Sequence, residues 1–216
     1  MKKLLLVAMV FISINTWAQK IRVGFTTGVA IANYKAKVDG NNESANARAG
    51  FTAGILLDVP VGKHFSFQPA MNFVQKGIKD KATYFGTTAK YTLNVNSLEM
   101  PLNFLYNSRG NKMNFFVGAG PSFALALSGK MKYNDGSNSG DENIKFGNSD
   151  DALMKNIDVG ANIITGLSLN NGIMLSCNYT AGLNNLFPGT SSEDGTLKSH
   201  YFGIKLGYML NFGKRK

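Results

Sequence analysis

From residue 21 onward, apolar and polar residues alternate with a period of two. That period puts neighbouring side chains on opposite faces of an extended strand. In the first stretch Ile21, Val23, Phe25, Val29 and Ile31 alternate with Arg22, Gly24, Thr26, Gly28 and Ala30. The second sets Phe51, Ala53, Ile55, Leu57 and Val59 against Gly50, Thr52, Gly54, Leu56 and Asp58. The third runs Phe65, Phe67, Met71 and Phe73, with Lys76 on its polar side, and the fourth runs Leu98 to Tyr106 around Glu99. The pattern returns at Met113–Leu125, at Ile157–Leu167 with Asp158, at Ile173–Leu183, and at Phe202–Phe212 with Lys205. This predicts eight strands, each close to the ~9–11 residues that a tilted membrane strand needs. Tyr91, Leu93 and Val95 hold one parity and Leu98 onward the other, which predicts a bulge or a strand start near Asn96-Ser97.

The connections alternate in length. Short ones fall at Pro60–His64, Asn107–Lys112 and Ser168–Gly172. Long polar ones fall at Lys35–Arg48, Gly77–Lys90, Gly129–Lys155 and Asn185–Lys198. Short turns at one end and long loops at the other are the plan of an outer-membrane barrel. The expected fold is therefore all-β, an eight-stranded antiparallel up-and-down transmembrane β-barrel.

The two faces decide which side points out. One is bulky, built from Phe, Ile, Leu, Met and Tyr; the other is Gly, Ala, Ser, Thr and Asn with a few charges. An eight-stranded barrel has an interior just wide enough for side chains to fill it. The small face fits inside, and the bulky face then meets lipid. The lumen would hold Arg22, Asp58, Lys76, Glu99, Asp158 and Lys205, and buried charges need partners. We expect an internal ion-pair network among these six, with Glu99 meeting Lys205, Arg22 or both.

The N-terminus carries a different signal. Lys2 and Lys3 precede an apolar run from Leu4 to Ile12, and Thr16-Trp17-Ala18 ends it. This is the plan of a secretory signal peptide, with cleavage expected after Ala18. Residues 1–18 are then the signal peptide and 19–216 the barrel domain, in the bacterial outer membrane. After Gln19 no apolar run reaches the ~18 residues of a membrane helix. Charged residues make up only 17% of the 216, Gly is frequent at 24, and the net charge is +10. The charge suits solvated loops and anionic lipid headgroups, so outer-membrane lipid is one expected partner. No basic face interleaved with aromatics suggests a nucleic-acid partner. Cys177 is the lone cysteine, so no intrachain disulfide forms.

Catalytic chemistry finds no constellation. His64 lies in a short turn and His200 at the far end of the last strand. Ser199 and His200 are neighbours, so their side chains point to opposite faces of a strand and do not make a nucleophile–base pair. No enzyme, metal or cofactor is expected. Asp150-Asp151 and Asp141-Glu142 lack the spacing of a calcium loop and read as solvated charge. The last strand, Lys205-Leu206-Gly207-Tyr208-Met209-Leu210-Asn211-Phe212, carries spacings like the barrel-assembly signal, which makes the assembly machinery a second expected partner.

The residues also resemble a family. Gly50-Phe51-Thr52-Ala53-Gly54, Phe67-Gln68-Pro69, Gln75-Lys76-Gly77, Leu98-Glu99-Met100-Pro101-Leu102, Gly118-Ala119-Gly120-Pro121 and Tyr179-Thr180-Ala181-Gly182-Leu183-Asn184-Asn185 occur in that order. Together they resemble landmarks of the PorT-like outer-membrane β-barrel family, loosely called porin family proteins, common in Bacteroidota. The resemblance implies an outer-membrane barrel in a family whose namesake is linked to a protein secretion system, while the small bore favours a structural or interaction barrel, accessory to a surface or secretion assembly and meeting a protein partner at external loops or periplasmic turns. The alternative is a small passive diffusion pore.

Overall fold

Strand pairing in the computed structural model closes on itself. The structure describes residues 21–38, 41–44, 46–84, 87–108, 110, 112–136, 138–149, 151–189 and 195–210. The expected signal peptide, the Lys214-Arg215-Lys216 tail, Asn211, Phe212 and Asp150 lie outside the described residues. The strands are β1 (Arg22–Val38), β2 (Asn41–Ser44), β3 (Asn46–Pro60), β4 (Phe65–Tyr84) and β5 (Thr87–Asn107), followed by β6 (Met113–Asn134), β7 (Ser139–Asn143), β8 (Ile157–Leu169), β9 (Ile173–Gly182) and β10 (Gly195–Leu210). Antiparallel pairing runs β1-β3-β4-β5-β6-β8-β9-β10, and β10 pairs back onto β1. The short β2 and β7 extend the sheet beside β1 and β6 at the long-loop end.

The ring is staggered. From Ile31 the register passes through Phe202, Tyr179, Ile163, Ala119, Phe104, Phe67 and Val59, and returns beside Ile21, ten residues lower on β1. Such a shear forces the strands to tilt, which widens the bore just enough for side chains to fill it. At the short-turn end Gly172 holds φ 97°, a conformation that side-chain-bearing residues rarely adopt, and this lets Asn170–Gly172 turn β8 into β9.

Alternation places the bulky face outside. Phe104, Ile163 and Leu206 are more than half exposed, while their sequence neighbours Asn103, Asn162 and Lys205 are buried. Cys177 sits half-buried on the outward side. Three sequence expectations need correction. First, the long connections carry much strand: β4 and β5 pair as far as Tyr84↔Thr87, and β5 pairs with β6 up to Lys90↔Asn134. Polar strands of Thr, Lys, Tyr and Asn keep the ladder going beyond the apolar band.

Second, the irregularity near Asn96-Ser97 exists, but the extra residue is on β6. Asn96 pairs with Ser128 and Ser97 with Ala126, so Leu127 is left over. β5 itself keeps its parity, and Leu93 and Val95 point inward with Ser97 and Glu99. The parity change in the sequence marks a change in what fills the lumen. Third, the interior carries apolar clusters on either side of its polar middle. At the short-turn end it is closed by Leu56, Leu105, Phe116, Ile164, Met174 and Met209. At the loop end it is closed by Tyr34, Leu93, Val95, Ile144, Met154 and Leu186.

Candidate functional site

The polar middle of the lumen is where the chain gathers its buried chemistry. Inward positions of β8 and β9 bring Asn162, Asn178 and Thr180 opposite Asn103 and Glu99 of β5 and Ser122 of β6. Asn162 Nδ2 donates to Asn103 Oδ1 at 2.8 Å, and Asn178 Nδ2 donates to Asn162 Oδ1 at 3.1 Å. Ser122 Oγ donates to Glu99 Oε1 at 2.6 Å. Thr180 Oγ1 lies 3.2 Å from the same oxygen and 2.8 Å from Asn162 Oδ1. A hydroxyl carries one proton, so it donates to one of these acceptors at a time. Gly203 leaves room for this network, since a Cβ there would stand 2.4 Å from Asn178 Oδ1.

Nearer the loop end is a second buried node. Lys76 Nζ is 3.1 Å from Asp158 Oδ2 and 3.5 Å from Ser199 Oγ. Ser199 donates to the same Asp158 oxygen. The Tyr201 ring lies under the ammonium, 5.4 Å away, within reach of a cation–π attraction. At the short-turn mouth, Arg22 Nη2 and Nε reach Asp58 Oδ2 at 2.5 and 3.1 Å.

Of the six charged residues expected in the lumen, the structure joins Arg22 to Asp58 and Lys76 to Asp158. Glu99 meets neither Arg22 nor Lys205 in an ion pair, which corrects that expectation. Register explains it: Arg22 is directly opposite Asp58 at the mouth, levels away from Glu99. Lys205 is buried without an ion-pair contact among the described residues. Hydroxyls of Ser122 and Thr180 take the place of the cation. Sequence reading missed Ser122, Asn162, Thr180 and Ser199 as participants. Their inward parity was visible, but which of them meet across the lumen was not.

The remaining candidates fall outside the lumen. His64 is at a short turn, stacked on Tyr106, and His200 stacks on Tyr179 outside while Ser199 points inward. At the loop end, Asp141 pairs with Lys130 at 2.9 Å, and this hydrogen bond and charge hold its carboxyl below the usual range. Asp151 is likewise lowered, first by a hydrogen bond from Ser149 and then by the charge of Lys145. Among the described residues no group of His, Cys, Asp and Glu is arranged to hold a metal ion.

Comparison with known proteins adds a family. The sequence matches the family model described as outer membrane protein beta-barrel domain over residues 17–188. None of the curated proteins matches it. Among solved structures, the outer membrane protein OprG from Pseudomonas aeruginosa is similar at 13% identity, covering 88% of this chain and 94% of that one with a TM-score of 0.49. Ail, the attachment invasion locus protein of Yersinia pestis, is similar at 11% identity over 88% of this chain and 100% of that one, TM-score 0.38. Neisserial surface protein A is similar at 12% identity over 86% and 96%, TM-score 0.38.

Proposed function

This chain belongs to the outer membrane protein beta-barrel domain family, and on that premise we propose that it serves the bacterial outer membrane as a closed barrel with a structural or interaction role. The carrying observation is that the lumen is filled at both ends. Six apolar side chains from six strands meet at the short-turn end. At the loop end, Ile144 and Met154 from the β7–β8 connection and Leu186 from the β9–β10 connection pack onto Tyr34, Leu93 and Val95. The backbone ties these loops down, with Ile144 N–H donating to Gly129 O at 3.0 Å and Lys155 N–H to Leu186 O at 2.8 Å. Apolar clusters at both ends flank a polar middle whose hydrogen bonds hold the wall together, an arrangement that favours a closed barrel over an open pore.

The finer reading is a PorT-like barrel, accessory to a surface or secretion assembly. It is supported by the order of the short motifs along the chain and by the sheet that β4, β5, β6 and β7 raise above the apolar band. A partner would meet this raised sheet or the short turns. Crosslinking from Lys132 or Tyr133 in native membranes should capture a specific neighbour; no capture from either position would remove the assembly role. The rival reading, a small passive diffusion pore, is tested in a planar bilayer. The folded protein should be silent, and steady openings would establish the pore instead.

A further inference from the structure

Three prolines stand in three neighbouring strands: Pro69 in β4, Pro101 in β5 and Pro121 in β6. Proline has no N–H to give to a ladder. At each one, pairing with the preceding strand is interrupted. β3 and β4 lose register contacts between Leu56↔Ala70 and Val59↔Phe67. β4 and β5 lose them between Pro69↔Leu102 and Asn72↔Glu99, and β5 and β6 between Pro101↔Ser122 and Phe104↔Ala119. On its other side Pro121 stays paired with Ala161, in a ladder unbroken from Met113 to Leu125. The pairings β8–β9, β9–β10 and β10–β1 are also continuous. The gaps therefore form one oblique seam through the wall from β3 to β6.

At the first gap a hollow of about 200 Å³ opens on the outer face, lined by Val23, Ile55, Leu57, Pro69, Met71 and Met100. Leu56 and Ala70 form its floor and also border a small polar hollow on the lumen side. The outer hollow is continuous with the lipid-facing band, where Ile55, Leu57, Met71 and Met100 are all exposed. A recess in that band is bathed by acyl chains, and none of the residues at its rim is charged.

We propose that this hollow is a binding groove for one acyl chain of a membrane lipid, seated where the prolines interrupt the wall. Burial of a methylene from one environment of acyl chains into another gains little, so the hold comes from packing density and from a fixed wall that a neighbouring lipid does not supply. The hollow lies beside the first interruption of the ladder.

The test uses the full chain folded into vesicles of dimyristoyl phosphatidylcholine, released into mild detergent and examined by native mass spectrometry. The unmodified barrel should retain a single phospholipid. Val23→Trp, which fills the hollow from β1, should lower retention severalfold, because the chain then loses its packing contacts with the fixed wall. Leu175→Trp adds the same bulk to the opposite wall and should leave retention unchanged. If Val23→Trp does not fold, Leu57→Phe fills the hollow from β3 and should act the same way. Absence of retained lipid, equal loss in Leu175→Trp, no loss on filling the hollow, or a second copy of the chain bound in place of lipid would each overturn the proposal. Bilayer silence bears on the closed lumen alone and is unaffected by any of these results.

Discussion

Two lysine–aspartate pairs of nearly equal length occupy opposite environments of this barrel. Lys76 and Asp158 meet in the lumen at 3.1 Å, with side chains 3% and 15% exposed. Lys130 and Asp141 meet above the band at 2.9 Å, 53% and 52% exposed. The shorter contact is the weaker one in its consequences. In water the charges are screened and their side chains give up rotamer freedom, so an exposed pair contributes almost nothing. In the lumen both side chains are largely withdrawn from solvent, so removing one strands the other. Glu99 stands between the two cases: fully buried, but held by Ser122 and Thr180 rather than by a cation. Its loss takes the acceptor from those two hydroxyls.

The largest effect should come from Asp158→Asn. It leaves Lys76 with Ser199 and the Tyr201 ring alone, and should lower unfolding free energy by about 3–5 kcal/mol, measured by denaturant titration in detergent or lipid. Neutralising Lys76 as well should recover a substantial part, because the two residues are coupled. An Asp158→Asn barrel as stable as the parent would mean that water reaches this node, and the two environments would no longer differ.

Glu99→Gln should cost about 1.5–3 kcal/mol, the range for a hydrogen bond to a charged group. A double-mutant cycle with Arg22→Gln should show no coupling, whereas coupling with Ser122→Ala should be clear. Coupling to Arg22 would contradict the register that places Arg22 at the mouth.

The smallest effect should be that of Asp141→Asn, with no measurable shift in Tm and a response to salt that the lumen pair lacks. Its carboxyl is lowered in the folded protein, first by the hydrogen bond from Lys130 and then by that charge. The sign follows: the contribution of Asp141 is fully present above its unfolded pKa and is lost as pH falls through the lower folded value. Chemical-shift titration should find Asp141 still ionised below the ordinary carboxylate range, and Lys130→Gln should return it to that range. An unshifted Asp141 would show that the rim pair is not formed in solution.

Much of this molecule follows from the sequence by itself, because β-strand geometry is local. Ile163 beside Asn162, or Leu206 beside Lys205, fixes which way each side chain must point once one face meets lipid. The eight strands of the closed ring and the inward placement of Arg22, Asp58, Lys76, Glu99, Asp158 and Lys205 come from that periodicity; β2, β7 and the strand that runs into the expected long connections do not. Contact across the lumen is not local. Lys76 and Asp158 are 82 residues apart, and only the stagger of the closed ring sets them at one level while leaving Arg22 with Asp58. The same holds for Leu93 and Val95. Their parity matches Glu99, but their apolar nature suggested an outward face, and only the loops carrying Ile144, Met154 and Leu186 gave them an apolar interior to join. The prolines were visible one by one as Pro69, Pro101 and Pro121. That they fall in adjacent strands and open one seam was decided by the register, since hydrogen-bond ladders are made between strands and not within them.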